Sequence, residues 1–221
     1  MRKIVLILIA TLIGFGGFYF YTHTSKPEQR KLNIHRVVKN DEFKKWMSFN
    51  PKDEHFSASF PMKPKTSSRD LPIPGSDNFL PYKEFLCEME NDVLFSISYT
   101  TLPDAWLKYG NSLVLGGALK VIMKELGKTE LVGKDSTIFK SFPALDYEHY
   151  TVAKTNQVET AGTLILVGNI LYKVEMTYPL ELHSQVQDHL ANFIANFNPE
   201  KVEVTSSQPE SSAPDKSQSP Q

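Results

Sequence analysis

The sequence predicts an α+β fold of mainly antiparallel strands and two amphipathic helices, preceded by one N-terminal transmembrane helix. Three observations carry this. Apolar residues recur at every second position through several segments, the mark of half-buried strands, and turn residues separate those segments at hairpin distances. Two other segments repeat apolar residues at a 3.6-residue period, as helices packed on a sheet do. Ahead of all of them, residues 4–21 run for 18 positions without a charge.

Setting aside residues 1–24 and the last 16 or so of the 221 residues leaves roughly 150–180 for folding. A domain of that size buries about 70% of its unfolded surface and needs no disulfide or metal to stand. The composition, 41% hydrophobic and 22% charged, is ordinary for a globular chain. A formal net charge of −1 argues against a dedicated nucleic-acid binder, which needs surplus Lys and Arg to meet phosphates. The single cysteine, Cys87, excludes an intramolecular disulfide, a CxxC redox pair and a Cys-rich zinc site.

As a helix, residues 4–21 would span roughly 27 Å, close to the hydrocarbon thickness of a bilayer. The run ends in Phe18, Tyr19, Phe20 and Tyr21, and aromatics with polar tips favour the headgroup zone. The competing reading is a cleaved signal peptide, but the run exceeds the usual signal core of about 7–15 residues. Its one small-x-small site, Thr22-His23-Thr24, is poor, and no cysteine follows for a lipid anchor. The expectation is therefore an uncleaved membrane anchor. Orientation divides the signals. Lys26, Arg30, Lys31, Arg36 and Lys39 after the run outnumber Arg2 and Lys3 before it, which favours a cytoplasmic C-terminal bulk. A short basic N-terminus before an apolar run is also how exported chains begin, so the two signals disagree and leave the orientation open.

The chain divides into an anchor or uncleaved signal (1–24), a polar stalk (25–43), a globular domain (44–200) and a Ser/Pro-rich tail (201–221). The tail has too few apolar residues to offset the entropy of ordering and is expected to be disordered. Phe43, Trp46 and Met47 suggest a short helix, and Phe56, Ala58 and Phe60 a half-buried strand that ends at Pro61. Residues 62–81, rich in Pro, Ser, Gly and Asp, read as a long loop with room for a short edge strand near 69–73. Phe85, Cys87 and Met89, a turn at 90–92, then Val93, Phe95, Ile97 and Tyr99 make a hairpin, with Cys87 a small buried hydrophobe.

A helix follows over 111–126, marked by Leu115, Leu119, Ile122 and Leu126 and stopped by Gly127. Gly116-Gly117 weakens it or lets a strand pack closely. Strands are expected over 128–134, 141–152, 157–167 and 170–178. Gly168-Asn169 forms the tight turn between the last two. A closing helix over 181–196 presents Leu182, Val186, Leu190, Phe193, Ile194 and Phe197 to the sheet.

Several of these pieces resemble the PsbP/Mog1-like domain family. The opening Trp46-x-x-Phe49-x-Pro51, then Phe56-x-x-x-Phe60-Pro61-x-x-Pro64, is similar to its first strand. The 82–99 hairpin, the 113–126 helix, Phe142-Pro143-Ala144, Leu166-Val167-Gly168-Asn169-x-Leu171-Tyr172 and the 192–197 helix end follow in the family's order. Ala144, where the family usually has glycine, and the acid-rich 146–148 depart from its pattern. The resemblance covers about 44–200. It implies an α/β/α sandwich on a twisted, mainly antiparallel sheet. It also implies a bacterial cell-membrane location with the domain extracytoplasmic (periplasmic) and an accessory or assembly role, and it brings no common catalytic site.

Little in the sequence points to chemistry. No GxSxG, Walker, GxGxxG, HExxH or EF-hand pattern occurs, so no catalytic or cofactor-binding residue is assigned and an enzyme is not expected. His183 and His189, six apart on one helix, point to different sides and read as solvated. Asp146 and Glu148 share one face of a strand, with His149 on the other. A cation there would need further oxygen ligands from a neighbouring strand, of which Glu159 is a candidate. The competing reading is a polar outer face of the sheet, and no metal ligand is assigned. Lys63, Lys65 and Arg69 form at most a small basic patch in the 62–81 loop.

The sequence therefore leads to a non-catalytic, membrane-anchored accessory or interaction protein with one unidentified protein partner and no nucleic acid. It would dock to, or help assemble, an envelope complex. The alternative is an extracytoplasmic small-molecule or metal-binding module, with its site under the 62–81 loop or near Asp146 and Glu148.

Overall fold

The structure is a computed structural model that describes residues 32, 34–36, 38–73, 77–127, 129–153 and 156–200. The apolar run at 4–21 and the tail at 201–221 lie outside the described residues. Two sheets are present. The small one joins β1 (Met47–Phe49), β2 (Phe56–Phe60) and β10 (Asn198–Pro199) in the order β1-β2-β10. The large one has seven strands: β3 (Lys65–Pro72), β4 (Phe79–Glu88), β5 (Leu94–Thr101), β6 (Thr129–Phe139), β7 (Phe142–Ala153), β8 (Asn156–Val167) and β9 (Ile170–Pro179). Their order is β3-β4-β5-β9-β8-β7-β6, and every neighbouring pair is antiparallel. Among the described residues the α-helices are α1 (Asp104–Leu107), α2 (Asn111–Leu126) and α3 (His183–Asn196).

The sheet has a helix on each face. Period-two alternation decides which residues meet which helix. Ile170, Tyr172, Val174, Met176 and Tyr178 of β9 join Ile165 and Ala161 of β8 in the core with Val186, Leu190, Phe193 and Ile194 of α3. The small sheet closes this side. Phe56, Phe60, Phe95, Phe193 and Phe197 are fully buried there, with ring centroids 5.1 Å apart for Phe95–Phe193 and 5.2 Å for Phe60–Phe193. On the opposite face Leu145, Tyr147, Leu164, Leu166 and Leu171 pack with Leu115 and Leu119 of α2.

The turns follow their residues. Gly168 turns β8 into β9 with φ 59°, and Asn91 (φ 62°) and Asp92 (φ 59°) reverse the β4–β5 hairpin. Such left-handed backbone is cheapest for Gly and tolerable for Asn and Asp. Gly127, also at positive φ, ends α2.

The structure departs from the sequence expectations in three places. Most of the expected 62–81 loop is sheet: β3 is an eight-residue edge strand paired along its length with β4. Its side chains are exposed on both faces, so the sequence carries no apolar alternation there. The expected helix near Phe43 is a 3-10 turn over Asp41–Lys45 that gives way to β1. Ahead of it, Ile34 is buried in the core, His35 pairs with Asp146, and Arg36 pairs with Asp188.

Candidate functional site

On the α3 face, β7 places Asp146 and Glu148 at alternate positions, and the register sets Asp146 opposite Thr163, Glu148 opposite Ala161 and Tyr150 opposite Glu159. Glu148 and Glu159 are therefore diagonal neighbours on one face, flanking the small side chain of Ala161. Tyr178 of β9 lies opposite Glu159 on its other side. Leu180–Leu182 forms a single 3-10 turn that delivers His183, the first residue of α3, over this patch.

Ligand atoms of Glu148, Glu159 and His183 all lie within 4.8 Å of one another. Glu159 has no solvent exposure and Glu148 only 3%. Both Glu159 oxygens are 2.8 Å from His183 Nδ1. The Tyr178 hydroxyl donates to Glu159 Oε1 at 2.7 Å, and the Gln187 amide donates to that hydroxyl at 3.1 Å. Burial, then the hydrogen bond and charge of Glu159, push the Tyr178 hydroxyl far above its ordinary range, so it remains a donor. Two carboxylates and an imidazole, drawn from two strands and one helix, form a donor set of the kind that holds first-row divalent cations.

The sequence-level candidates are thus divided. Glu148 and Glu159 come together, as the register of adjacent strands requires. Asp146 does not join them, because its Oδ1 takes His35 Nε2 at 2.7 Å. The reading of these acids as a polar outer face is overturned, since Asp146, Glu148 and Glu159 are all buried. His183, which the sequence reading leaves solvated, faces Glu159 instead. Its contact with Glu159 depends on the angle at which α3 leaves β9, which helical periodicity alone does not fix. His189 points elsewhere, to Glu42 at 2.6 Å.

The α2 face holds a second buried polar group. The Lys173 ammonium and the Tyr147 hydroxyl both donate to the Glu175 carboxylate. Burial alone would raise the Glu175 carboxyl, but the Lys173 charge and the two hydrogen bonds outweigh it and hold the carboxyl below its ordinary range. Room for Glu175 comes from Gly162 directly opposite it. A Cβ at 162 would meet the Val174 carbonyl at 2.4 Å and Glu175 Cβ at 2.6 Å. His149 stacks on Tyr147 with ring centroids 6.1 Å apart, and burial pushes its imidazole below its ordinary value. Each charge of this ion pair is answered by the other, which is the arrangement of a structural element.

A shallow groove of about 460 Å³ lies beside the β3 edge, lined by Ser68, Arg69, Asp70, Tyr82, Lys83 and Tyr99 among others. Arg69 covers the Tyr82 ring at 4.8 Å, and Lys83 and Tyr99 are both engaged by the buried Glu54. The groove's strongest polar groups thus already have partners.

The outer side of α2 and Tyr109 just ahead of it expose apolar side chains. Leu113 (69% exposed) and Val121 (46%) follow Tyr109 (70%) at four-residue spacing, with Gly117 between them. A Cβ built on Gly116 or Gly117 would touch nothing within 4 Å, so the close strand packing allowed by the sequence reading does not occur.

No family model matches the sequence, and no curated protein matches it. Solved structures do. The chain is similar to the cyanobacterial PsbP protein CyanoP from Synechocystis sp. PCC 6803, with a TM-score of 0.51 and 11% identity over 70% of this chain and 92% of that one. It is also similar to a Pseudomonas aeruginosa protein of unknown function described as a putative regulator (TM-score 0.40, 10% identity, 71% of this chain and 99% of that one). A third is LpqN, involved in cell envelope biogenesis in Mycobacterium tuberculosis (TM-score 0.38, 12% identity, 74% and 83%). The first of these shows the fold: the described part of the chain has a PsbP-like fold, the one that its ordered motifs from Trp46 to Phe197 resemble.

Proposed function

We propose that this is a non-catalytic accessory protein, tethered to a membrane by residues 4–21, that docks through the outer face of α2 onto an apolar helix of a membrane-associated complex. The observation that carries the reading is the Gly116-Gly117 pair. Each glycine inside a helix costs about 0.5–1 kcal/mol relative to alanine. Nothing inside the domain requires either one, because an added Cβ meets only open space. They lie within an exposed apolar stripe of Tyr109, Leu113 and Val121. Small residues flanked by large apolar ones let a second helix backbone approach closely. Lys108, Lys120 and Lys124 border the stripe, against a single acid, Glu125, on the helix itself, so acidic residues flanking the partner's apolar segment would complement it. An accessory role also agrees with what the resemblance to PsbP/Mog1-like domains implies.

The test is photo-crosslinking in intact cells, with the reactive amino acid placed at Gly117 or, as control, at the exposed Ser67 on β3. The expected result is a discrete protein adduct from position 117 only, abolished by Leu113→Glu with Val121→Glu. Identical adducts from both positions, or adducts to lipid alone, would overturn the docking surface. The tether and the periplasmic placement have their own test. A reporter active only outside the cytoplasm, fused after Gln221, should be active while the N-terminus stays intact.

A further inference from the structure

We propose that Glu148, Glu159 and His183 form a binding site for a single first-row divalent cation of the zinc class, separate from the docking face and independent of the docking reading. The case rests on geometry. Two glutamates with ligand atoms within 4.8 Å of each other are held where one has no solvent exposure and the other 3%. A divalent cation is the kind of group that two neighbouring carboxylates can bind together. The third donor comes from a different element and is of a different type. His183 is the first residue of α3, and its Nδ1 is already 2.8 Å from both Glu159 oxygens. A mixed nitrogen and carboxylate set favours zinc, manganese or iron over calcium or magnesium, which prefer oxygen alone.

An outer layer is also in place. Tyr178 donates to Glu159 and is itself fixed by Gln187, the kind of support that orients a ligating carboxylate. Ala161, opposite Glu148, leaves the sheet face between the two carboxylates without a large side chain. The His183 side chain is 24% exposed, which gives the ion a route from solvent. Tetrahedral zinc with bonds of about 2.0–2.1 Å needs its ligand atoms about 3.4 Å apart. Ligand atoms that lie up to 4.8 Å apart must therefore draw together by as much as about 1.4 Å on binding. Binding replaces the Nδ1 contact to Glu159, and a proton held at Nδ1 passes to Nε2 or, from a protonated ring, to solvent. Three protein ligands leave a fourth position for water or for a group from a partner.

The competing arrangement is a metal-free ion pair in which protonated His183 neutralises Glu159, and titration with Zn²⁺ alone separates the two. The full chain in detergent is stripped with chelator and titrated by calorimetry. The site predicts one zinc per chain and a raised melting temperature. Glu148→Gln and His183→Ala should each weaken binding at least tenfold, while His189→Ala leaves it unchanged. Absence of stoichiometric binding below about 100 µM zinc would overturn the proposal, as would binding that His183→Ala does not weaken. Should either variant fail to melt cooperatively, Co²⁺ added to the wild-type chain decides. Paramagnetic shifts of the His183 ring protons support the site, and an unshifted His183 refutes it.

Discussion

The clearest single-residue constraints sit on the α2 face of the sheet. Lys173 and Glu175 occupy alternate positions of the central strand β9, where a reader of periodicity expects leucines like Leu171. Removing one partner strands the other charge in a poorly solvated place, and breaking a buried pair costs about 3–5 kcal/mol. Lys173→Met should therefore destabilise by about 3 kcal/mol in urea unfolding. Lys173→Met with Glu175→Leu should recover most of that loss, since an apolar replacement of similar volume leaves no uncompensated charge. Gly162 supplies the companion test. Its added Cβ would lie 2.4 Å from the Val174 carbonyl and 2.8 Å from Glu175 Cα, backbone atoms that cannot rotate away. Gly162→Ala should cost about 3 kcal/mol, at the upper end for overpacking, with the loss read from the same urea curves.

At the scale of elements, α2 carries the opposite expectation. Gly116→Ala and Gly117→Ala meet no atom of the domain, so each should stabilise by about 0.5–1 kcal/mol and raise the melting temperature. The same pair should lower the yield of the adduct formed through this face. A stabilised domain that docks less well would show that the glycines serve the surface. The elements most legible in the sequence were those whose two faces differ in polarity or whose ends carry turn chemistry. The β8–β9 hairpin around Gly168, the 90–92 reversal and α2 all lie where alternation and turn residues placed them. β3 was illegible because an edge strand exposed on both faces has no alternation to read. The candidate metal site was half legible. Strand register put Glu148 beside Glu159, but His183 reaches them only through the exit angle of a helix, a tertiary fact. Asp146 drops out because His35, more than 100 residues away in sequence, takes its carboxylate.

The whole molecule should respond to acid in two steps, because its two perturbed acid-range groups on the α2 face have shifts of the same sign. Burial is the largest influence on His149 and holds its imidazole below the ordinary 6.5, although Glu175 pulls the other way and Lys173 adds to the depression. As pH falls below about 6.5, the unfolded chain binds a proton that the folded chain refuses, so stability declines over that window. Glu175 lies below its ordinary 4.5 because Lys173 and the hydrogen bonds from Lys173 and Tyr147 overcome burial. Its contribution is full above about 4.5 and is lost as pH falls further, again because the unfolded state takes up the proton first. Lys173 moves in the raised direction, so its contribution persists through neutral pH and fades only in strong alkali. Urea unfolding free energies should therefore be flat from about pH 7 to 9, begin to fall as pH drops below about 6.5, and fall again below about 4.5. Because His149 Nδ1 is buried without a hydrogen-bond partner, His149→Gln removes no bond at that atom while abolishing titration. The variant should flatten the first decline and leave the second. A first decline of unchanged slope in the variant would show that His149 is not its source.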